Sequence, residues 1–255
     1  MFNLLIGILL PFLGTTLGSF FVFFLRNKIN KKIEKLMLGF AGGVMVAAAV
    51  WSLIIPAINS SEHLNRLSFL PALIGIVFGL LFLILLDKII SKINMKNINL
   101  INKKNNSKIL MIAVTLHNIP EGMAVGVAMA GVYFGDTGIT LVASLTLALG
   151  IAIQNIPEGA IISMPILANG HTKIKAFGFG VLSGIVEPIA ALITILLVNI
   201  LGPILPYLLA FAAGAMIYVV IEELIPASHD EDSKVSTIAF IIGFLIMMTL
   251  DVALG

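Results

Sequence analysis

Apolar runs of about 20 residues recur along the whole of this 255-residue chain, and a run of that length is what a helix needs to cross a hydrocarbon core of roughly 30 Å. In lipid every backbone N–H and C=O must be satisfied within the chain, which leaves helices or a closed barrel. Continuous apolar runs, rather than short alternating ones, select helices. Composition agrees, since 59% of the residues are hydrophobic and 11% are charged, against roughly 25% charge in soluble domains. The expected fold class is an all-α membrane protein with eight transmembrane helices, at about 2–25, 34–58, 68–90, 108–131, 139–165, 174–200, 203–226 and 235–254. The first run lacks a basic leader and is followed at once by Arg26, Lys28, Lys31 and Lys32, so it reads as a retained span rather than a cleaved signal.

The basic residues orient these spans. The loops at 26–35, 87–108, 171–175 and 227–234 hold five, six, two and one of the fifteen Lys and Arg residues, and Arg66 alone lies opposite. The positive-inside rule makes those loops cytoplasmic and turns both termini outward. Ser91 to Lys108 is rich in Asn and Lys and reads as a flexible, solvated linker. The short connections at about 131–138 and 200–203 predict that helices four and five, and six and seven, are neighbouring antiparallel pairs. With no cysteine, a disulfide framework and a thiolate metal site are both excluded. The net charge of +2 follows topology and forms no basic patch, so nucleic acid is not an expected partner.

Two internal likenesses bear on function. Asn118-Ile-Pro-Glu-Gly122 in the fourth span recurs as Asn155-Ile-Pro-Glu-Gly159 in the fifth. On consecutive antiparallel helices the two copies can face each other near the middle of the bilayer. More weakly, Phe40-Ala41, Gly43, Met45 and Pro56-Ala57 of the second span correspond to Phe211-Ala212, Gly214, Met216 and Pro226-Ala227 of the seventh, with a one-residue gap. Those helices run in opposite directions, and inverted repeats with broken helices are how secondary transporters expose one site alternately to two sides.

Five carboxylates, Glu121, Glu158, Glu187, Glu222 and Glu223, fall within or near the inner ends of apolar spans. A charge there costs at least roughly 2.5–3.5 kcal/mol on insertion scales, so such residues mark a path or cavity. His117 and Glu121 are spaced i, i+4 and share a helical face, and Gln154 and Glu158 repeat the spacing. Imidazole with carboxylates suits zinc, iron(II), manganese or cadmium better than calcium or magnesium. Pro120 and Pro157 lack an N–H and crowd the carbonyls of Leu116 and Ile153, which are left to bond something else. Asn118, Asn155 and Gln154 either contact the metal or bridge helices through their amides. Glu187 reads as a ligand, Glu222 and Glu223 as exit ligands or solvated interface residues. His63 with Glu62, His171, and His229 with the acidic run Asp230 to Asp232 read as surface. Asp251 lies near the outer interface, where a charge is cheap, and Trp51 with Ser52 reads as packing of the second span. Gly14-x-x-x-Gly18 reads as a close helix contact.

At these residues the sequence resembles the ZIP (Zrt-, Irt-like) metal transporters, in particular their bacterial GufA-like branch. The match covers the whole chain, with HNxPEG at His117 to Gly122, QNxPEG at Gln154 to Gly159, Glu187-Pro188, and Glu222-Glu223-x-x-Pro226. The resemblance implies one ZIP-type domain over 1–255 with an inverted 3+2+3 repeat, and a path lined by spans two, four, five and seven. It implies an M1 site of His117, Glu121, Gln154 and Glu158, an adjacent M2 site of Asn118, Asn155, Glu158 and Glu187, and Ser52 at a position near the outer gate. It further implies uptake of zinc, or of cadmium, iron or manganese, by elevator-like alternating access, in a homodimer embedded in the cell membrane. The metal is cargo and no cofactor is implied. Asn155 stands where some relatives have Asp, and the 91–108 loop lacks the histidines of many relatives. The competing readings are a metal-dependent intramembrane peptidase, disfavoured because H-E-x-x-H is absent, and a passive metal channel. The expectation is a transporter and not an enzyme.

Overall fold

The computed structural model describes residues 2–24, 30–97, 106–134, 139–201, 204–229 and 234–254. Among them every regular element is helical. In chain order these are α1 (Phe2–Phe20), α2 (Lys31–Ala48), α3 (Ile55–Asn59), α4 (Leu70–Asn97), α5 (Asn106–Phe134), α6 (Leu141–Ala168), α7 (Lys173–Gly184), α8 (Val186–Leu201), α9 (Leu205–Val219), α10 (Ile225–Ser228) and α11 (Val235–Leu254). Single helices, or helices joined end to end, give seven stretches among the described residues that are long and apolar enough to cross a membrane. The helix α5, 29 residues long, stands where the fourth span is expected.

The outer surface is apolar. Phe78 on α4 is 61% exposed and Leu196 on α8 is 63% exposed. In water such a surface drives association, whereas in lipid it is the ordinary contact face. Inside, the helices meet through small residues in four close pairs: α1 with α6, α5 with α8, α2 with α11, and α4 with α9. In each pair a glycine lies directly on a backbone carbonyl of its partner. A Cβ at Gly159 would run into the Thr15 carbonyl, at Gly122 into that of Glu187, at Gly43 into that of Phe240, and at Gly79 into that of Phe211. Without a hydrophobic drive between helices in lipid, this close backbone approach is what holds them. Gly14 and Gly18 make the same kind of contact, against Ala152 and Ile156.

Two expectations need correction. Spans six and seven are not a packed pair, since among the described residues α8 packs mainly on α5 and also on α1, and α9 on α4. A short connection forces antiparallel direction, but the glycine faces decide which helix each one lies against. The stretch 91–108 is also less of a linker than its composition suggests, because α4 continues through Asn97 and α5 begins at Asn106. Lysine is a good helix former and sustains both ends. Residues 98–105 lie outside the described residues, as do Arg26, Lys28 and Asp230 to Asp232.

Two spans contain a π-helical turn at matching places. Ala49–Ile54 joins α2 to α3, and Val220–Leu224 joins α9 to α10. In each the following isoleucine N–H reaches back five residues, Ile55 to Val50 and Ile225 to Val220, and a proline comes next, Pro56 or Pro226. Proline removes the N–H that would bond Ser52 or Glu222 one turn earlier, and a π turn absorbs the misfit without breaking the helix. Span six breaks instead, between α7 and α8 at Ile185, three residues before Pro188.

Candidate metal centre

The two copies of the Asn-Ile-Pro-Glu-Gly motif lie on α5 and α6, which pack against each other and remain continuous helices through Pro120 and Pro157. The spacing i, i+3 between each Asn and Glu sets both side chains on the inward face. Asn118, Glu121, Gln154, Asn155 and Glu187 are fully buried and Glu158 is 8% exposed. Glu187 joins them because the break at Ile185 begins α8 against Gly122.

Every donor in this group is used within the protein. Gln154 Nε2 donates to Glu121 Oε1 at 2.9 Å. Asn118 Nδ2 donates to Glu187 Oε1 and to the Ser183 carbonyl, each at 3.0 Å. Thr15 Oγ1 donates to the same Glu187 oxygen at 2.7 Å, and Asn155 Nδ2 reaches the Pro11 carbonyl at 3.5 Å. The acceptors are not used up. Asn118 Oδ1, Glu121 Oε2, Gln154 Oε1, Asn155 Oδ1, Glu158 Oε2 and Glu187 Oε2 are all buried with no hydrogen-bond partner. Each such oxygen costs about 1–3 kcal/mol. Six acceptors whose neighbouring amide donors are already engaged elsewhere form a lining suited to a cation.

Electrostatics point the same way. Glu121 feels the charge of Glu187, Glu158 those of Glu121 and Glu223, and Glu187 that of Glu158. Mutual repulsion among buried carboxylates is relieved by a bound divalent ion. Asn155 faces both Glu121 and Glu187, so a neutral amide separates two charges at that point. Among the described residues no three His, Asp or Glu groups close on one point, and the lining is a mixture of carboxylate and amide oxygens. His117 lies one turn before Glu121 on α5, and its side chain lies outside the described residues.

The remaining candidates are placed apart. Glu223 is half-buried on the π turn before α10 and within the field of Glu158, whereas Glu222 is exposed. Ser52 is on the other π turn, where its hydroxyl donates to Asp251 Oδ1 at 2.6 Å. This corrects two readings at once. Asp251 does not snorkel at an interface but is buried at 8% exposure with Oδ2 unpartnered, and Ser52 holds it rather than merely packing. Both line a cavity of about 160 Å³ with Trp51, Asn59, Thr140 and Ser144. His63 and His229 are exposed as expected, and His171 lies against Phe179. Sequence reasoning missed Thr15, whose partner is 172 residues away; the run Gly14-Thr15-Thr16 in an apolar span was the available signal.

Residues 99–251 match the family described as ZIP Zinc transporter. The chain is 34% identical to zinc transporter ZIP11 of Xenopus tropicalis over 98% of this chain and 97% of that protein. It is 32% identical to zinc transporter GufA of Myxococcus xanthus over 98% of each. With zinc transporter ZIPB of Bordetella bronchiseptica the identity is 32%, over 96% of this chain and 79% of that protein.

Proposed function

The chain belongs to the ZIP zinc transporter family and moves divalent metal ions across a membrane, and on that premise we propose that it takes zinc into the cytoplasm by elevator-like alternating access. The observation that carries this reading is the set of six buried acceptor oxygens left without partners on Asn118, Glu121, Gln154, Asn155, Glu158 and Glu187. Zinc exchanges its waters for His117, Glu121, Gln154 and Glu158 at one site, with Asn118, Asn155, Glu158 and Glu187 forming a second beside it. Cadmium, iron(II) and manganese are the competing cargoes, because the same donors suit them. The ion leaves toward Glu223 and Glu222.

The proposed frame has eight spans, α5 being the fourth, with outward termini and an inverted 3+2+3 repeat. The pairing of helices supports the repeat. Exchanging span one with six, two with seven, three with eight and four with five turns the pair α1–α6 into α8–α5, and α2–α11 into α9–α4, which are the observed pairs. The paired π turns obey the same exchange. Two bundles follow, one of α1, α5, α6, α7 and α8 that carries the metal lining, and one of α2, α4, α9 and α11. Sliding the first against the second moves the site between sides. We place the protein in the cell membrane as a homodimer. A peptidase would need an activated water and a general base over an open metal position; a lining of amide and carboxylate oxygens fits cargo better.

The test is metal influx into proteoliposomes, comparing zinc, cadmium, iron(II) and manganese, with a His117→Ala/Glu158→Ala double variant as control. Saturable zinc influx that the double variant abolishes is the expected result. Tight binding without flux would turn the reading toward a sensory or catalytic site, and flux that rises linearly with metal toward a channel.

A further inference from the structure

The repeat can be carried from the helix pairs down to single residues. Gly43 lies on the Phe240 carbonyl and Gly243 on that of Phe40; Gly214 lies on the Ile76 carbonyl and Gly79 on that of Phe211. Phe40 and Gly43 already correspond to Phe211 and Gly214 by sequence. The contacts therefore equate Phe240 with Ile76 and Gly243 with Gly79. Extended along the unbroken helices α4 and α11, this register pairs Ile74 with Ile238, Leu81 with Leu245 and Leu86 with Leu250, and then Asp87 with Asp251. Each aspartate lies eight residues beyond its glycine, so both present the same face to the neighbouring helix.

Both aspartates also accept a hydroxyl from that neighbour. Ser52 donates to Asp251 at 2.6 Å from inside the first π turn, and Tyr218 donates to Asp87 Oδ2 at 2.5 Å from two residues before the second. Because the repeat units are inverted, the two pairs stand at opposite mouths. Asp251 faces the cavity of about 160 Å³ at the mouth nearest the termini, while Asp87 and Tyr218 stand beside Lys88 at the other, where Tyr218 feels the charges of Glu222 and Glu223. The loop residues that orient the chain place that second mouth in the cytoplasm.

We propose that Tyr218 and Asp87 are positioning residues of the inner mouth, as Ser52 and Asp251 are of the outer one, with Asp87 the repeat counterpart of Asp251 and Tyr218 supplying its hydroxyl from another register of its helix than Ser52 does, and that each pair sets the mouth's apparent metal affinity on its own side. A π turn has one hydrogen bond fewer per turn than its surroundings demand and can shift register. A hydroxyl bridge to a neighbouring helix fixes where the turn holds its side chains. At the inner mouth those are Glu222 and Glu223, on the way out of the site. The inference rests on the alternating-access reading given above.

The test uses the full-length protein in proteoliposomes of uniform orientation, with zinc half-saturation measured separately from each side. Tyr218→Phe and Asp87→Asn should raise it about threefold to tenfold on the Lys88 side and leave the other side unchanged, and Ser52→Ala should do the reverse. A shift on both sides alike, or none on the Lys88 side, overturns the proposal. Amide hydrogen exchange supplies a readout independent of transport: Tyr218→Phe should speed exchange in Val220–Leu224 about threefold to tenfold and spare Ala49–Ile54. Equal change in both turns overturns it as well. A wild type that carries no zinc from either side would sink the alternating-access reading, and the amide pattern would still decide whether Tyr218 positions its turn.

Discussion

Glu187 Oε1 accepts from both Thr15 and Asn118, and this sharing leaves Oε2 free at the edge of the lining. Removing one of its two donors should loosen the carboxylate without removing it. Thr15→Val, which keeps the shape and loses the hydroxyl, is expected to weaken zinc binding about tenfold, the lower end for residues that orient metal ligands. Glu121→Gln and Glu158→Gln replace a charged carboxylate donor by a neutral amide, and each should weaken zinc binding well beyond that; equal effects of Thr15→Val and Glu158→Gln would argue against the assigned roles. Zinc titration calorimetry with the purified protein separates the three. Asn155 was readable from the motif as a duplicate of Asn118. Its role as a neutral spacer between Glu121 and Glu187 was not, because that depends on where α8 begins.

At the scale of elements, stability resides in the glycine contacts. Gly159→Ala places a methyl against the Thr15 carbonyl and Gly122→Ala one against Glu187; since backbone cannot move aside as a side chain can, each should destabilise the bundle by about 1–3 kcal/mol. Gly178 has nothing within 4 Å of an added Cβ, so Gly178→Ala should be neutral or slightly stabilising through helix propensity. Thermal melting in detergent checks the contrast. Equal melting temperatures for Gly159→Ala and Gly178→Ala would mean that close approach at α1–α6 does not hold the fold. The π turns were legible only as prolines. Pro56, Pro188 and Pro226 mark three carbonyls losing their partners, but whether a helix answers with a π turn or a break depends on what packs beside it.

Across the whole molecule, the proposal of eight spans with outward termini makes a topological prediction that the absence of cysteine makes easy to check. His63 and His229 are both exposed. A membrane-impermeant maleimide should label His63→Cys on intact cells, and His229→Cys only after permeabilisation. Labelling of both from outside would break the topology and with it the inverted repeat. The weak likeness between spans two and seven pointed toward that repeat; the likeness of spans three and eight, which contains Asp87 and Asp251, emerged only when the glycine contacts set the register. Identities at Gly79 and Gly243 or Leu86 and Leu250 are too common in apolar helices to stand out alone.

The number and placement of apolar runs, the gathering of basic residues into alternate loops, and the duplicated Asn-Ile-Pro-Glu-Gly motif are local properties of residue type and period, and the sequence by itself determined them. Which helices meet, which acceptor oxygens remain without partners, and which aspartates accept a hydrogen bond from a neighbouring helix were decided only by tertiary structure. These depend on backbone surfaces brought together across gaps as long as the 199 residues from Ser52 to Asp251. In lipid, where apolar side chains gain little by leaving their solvent, close fit between such surfaces chooses the partners.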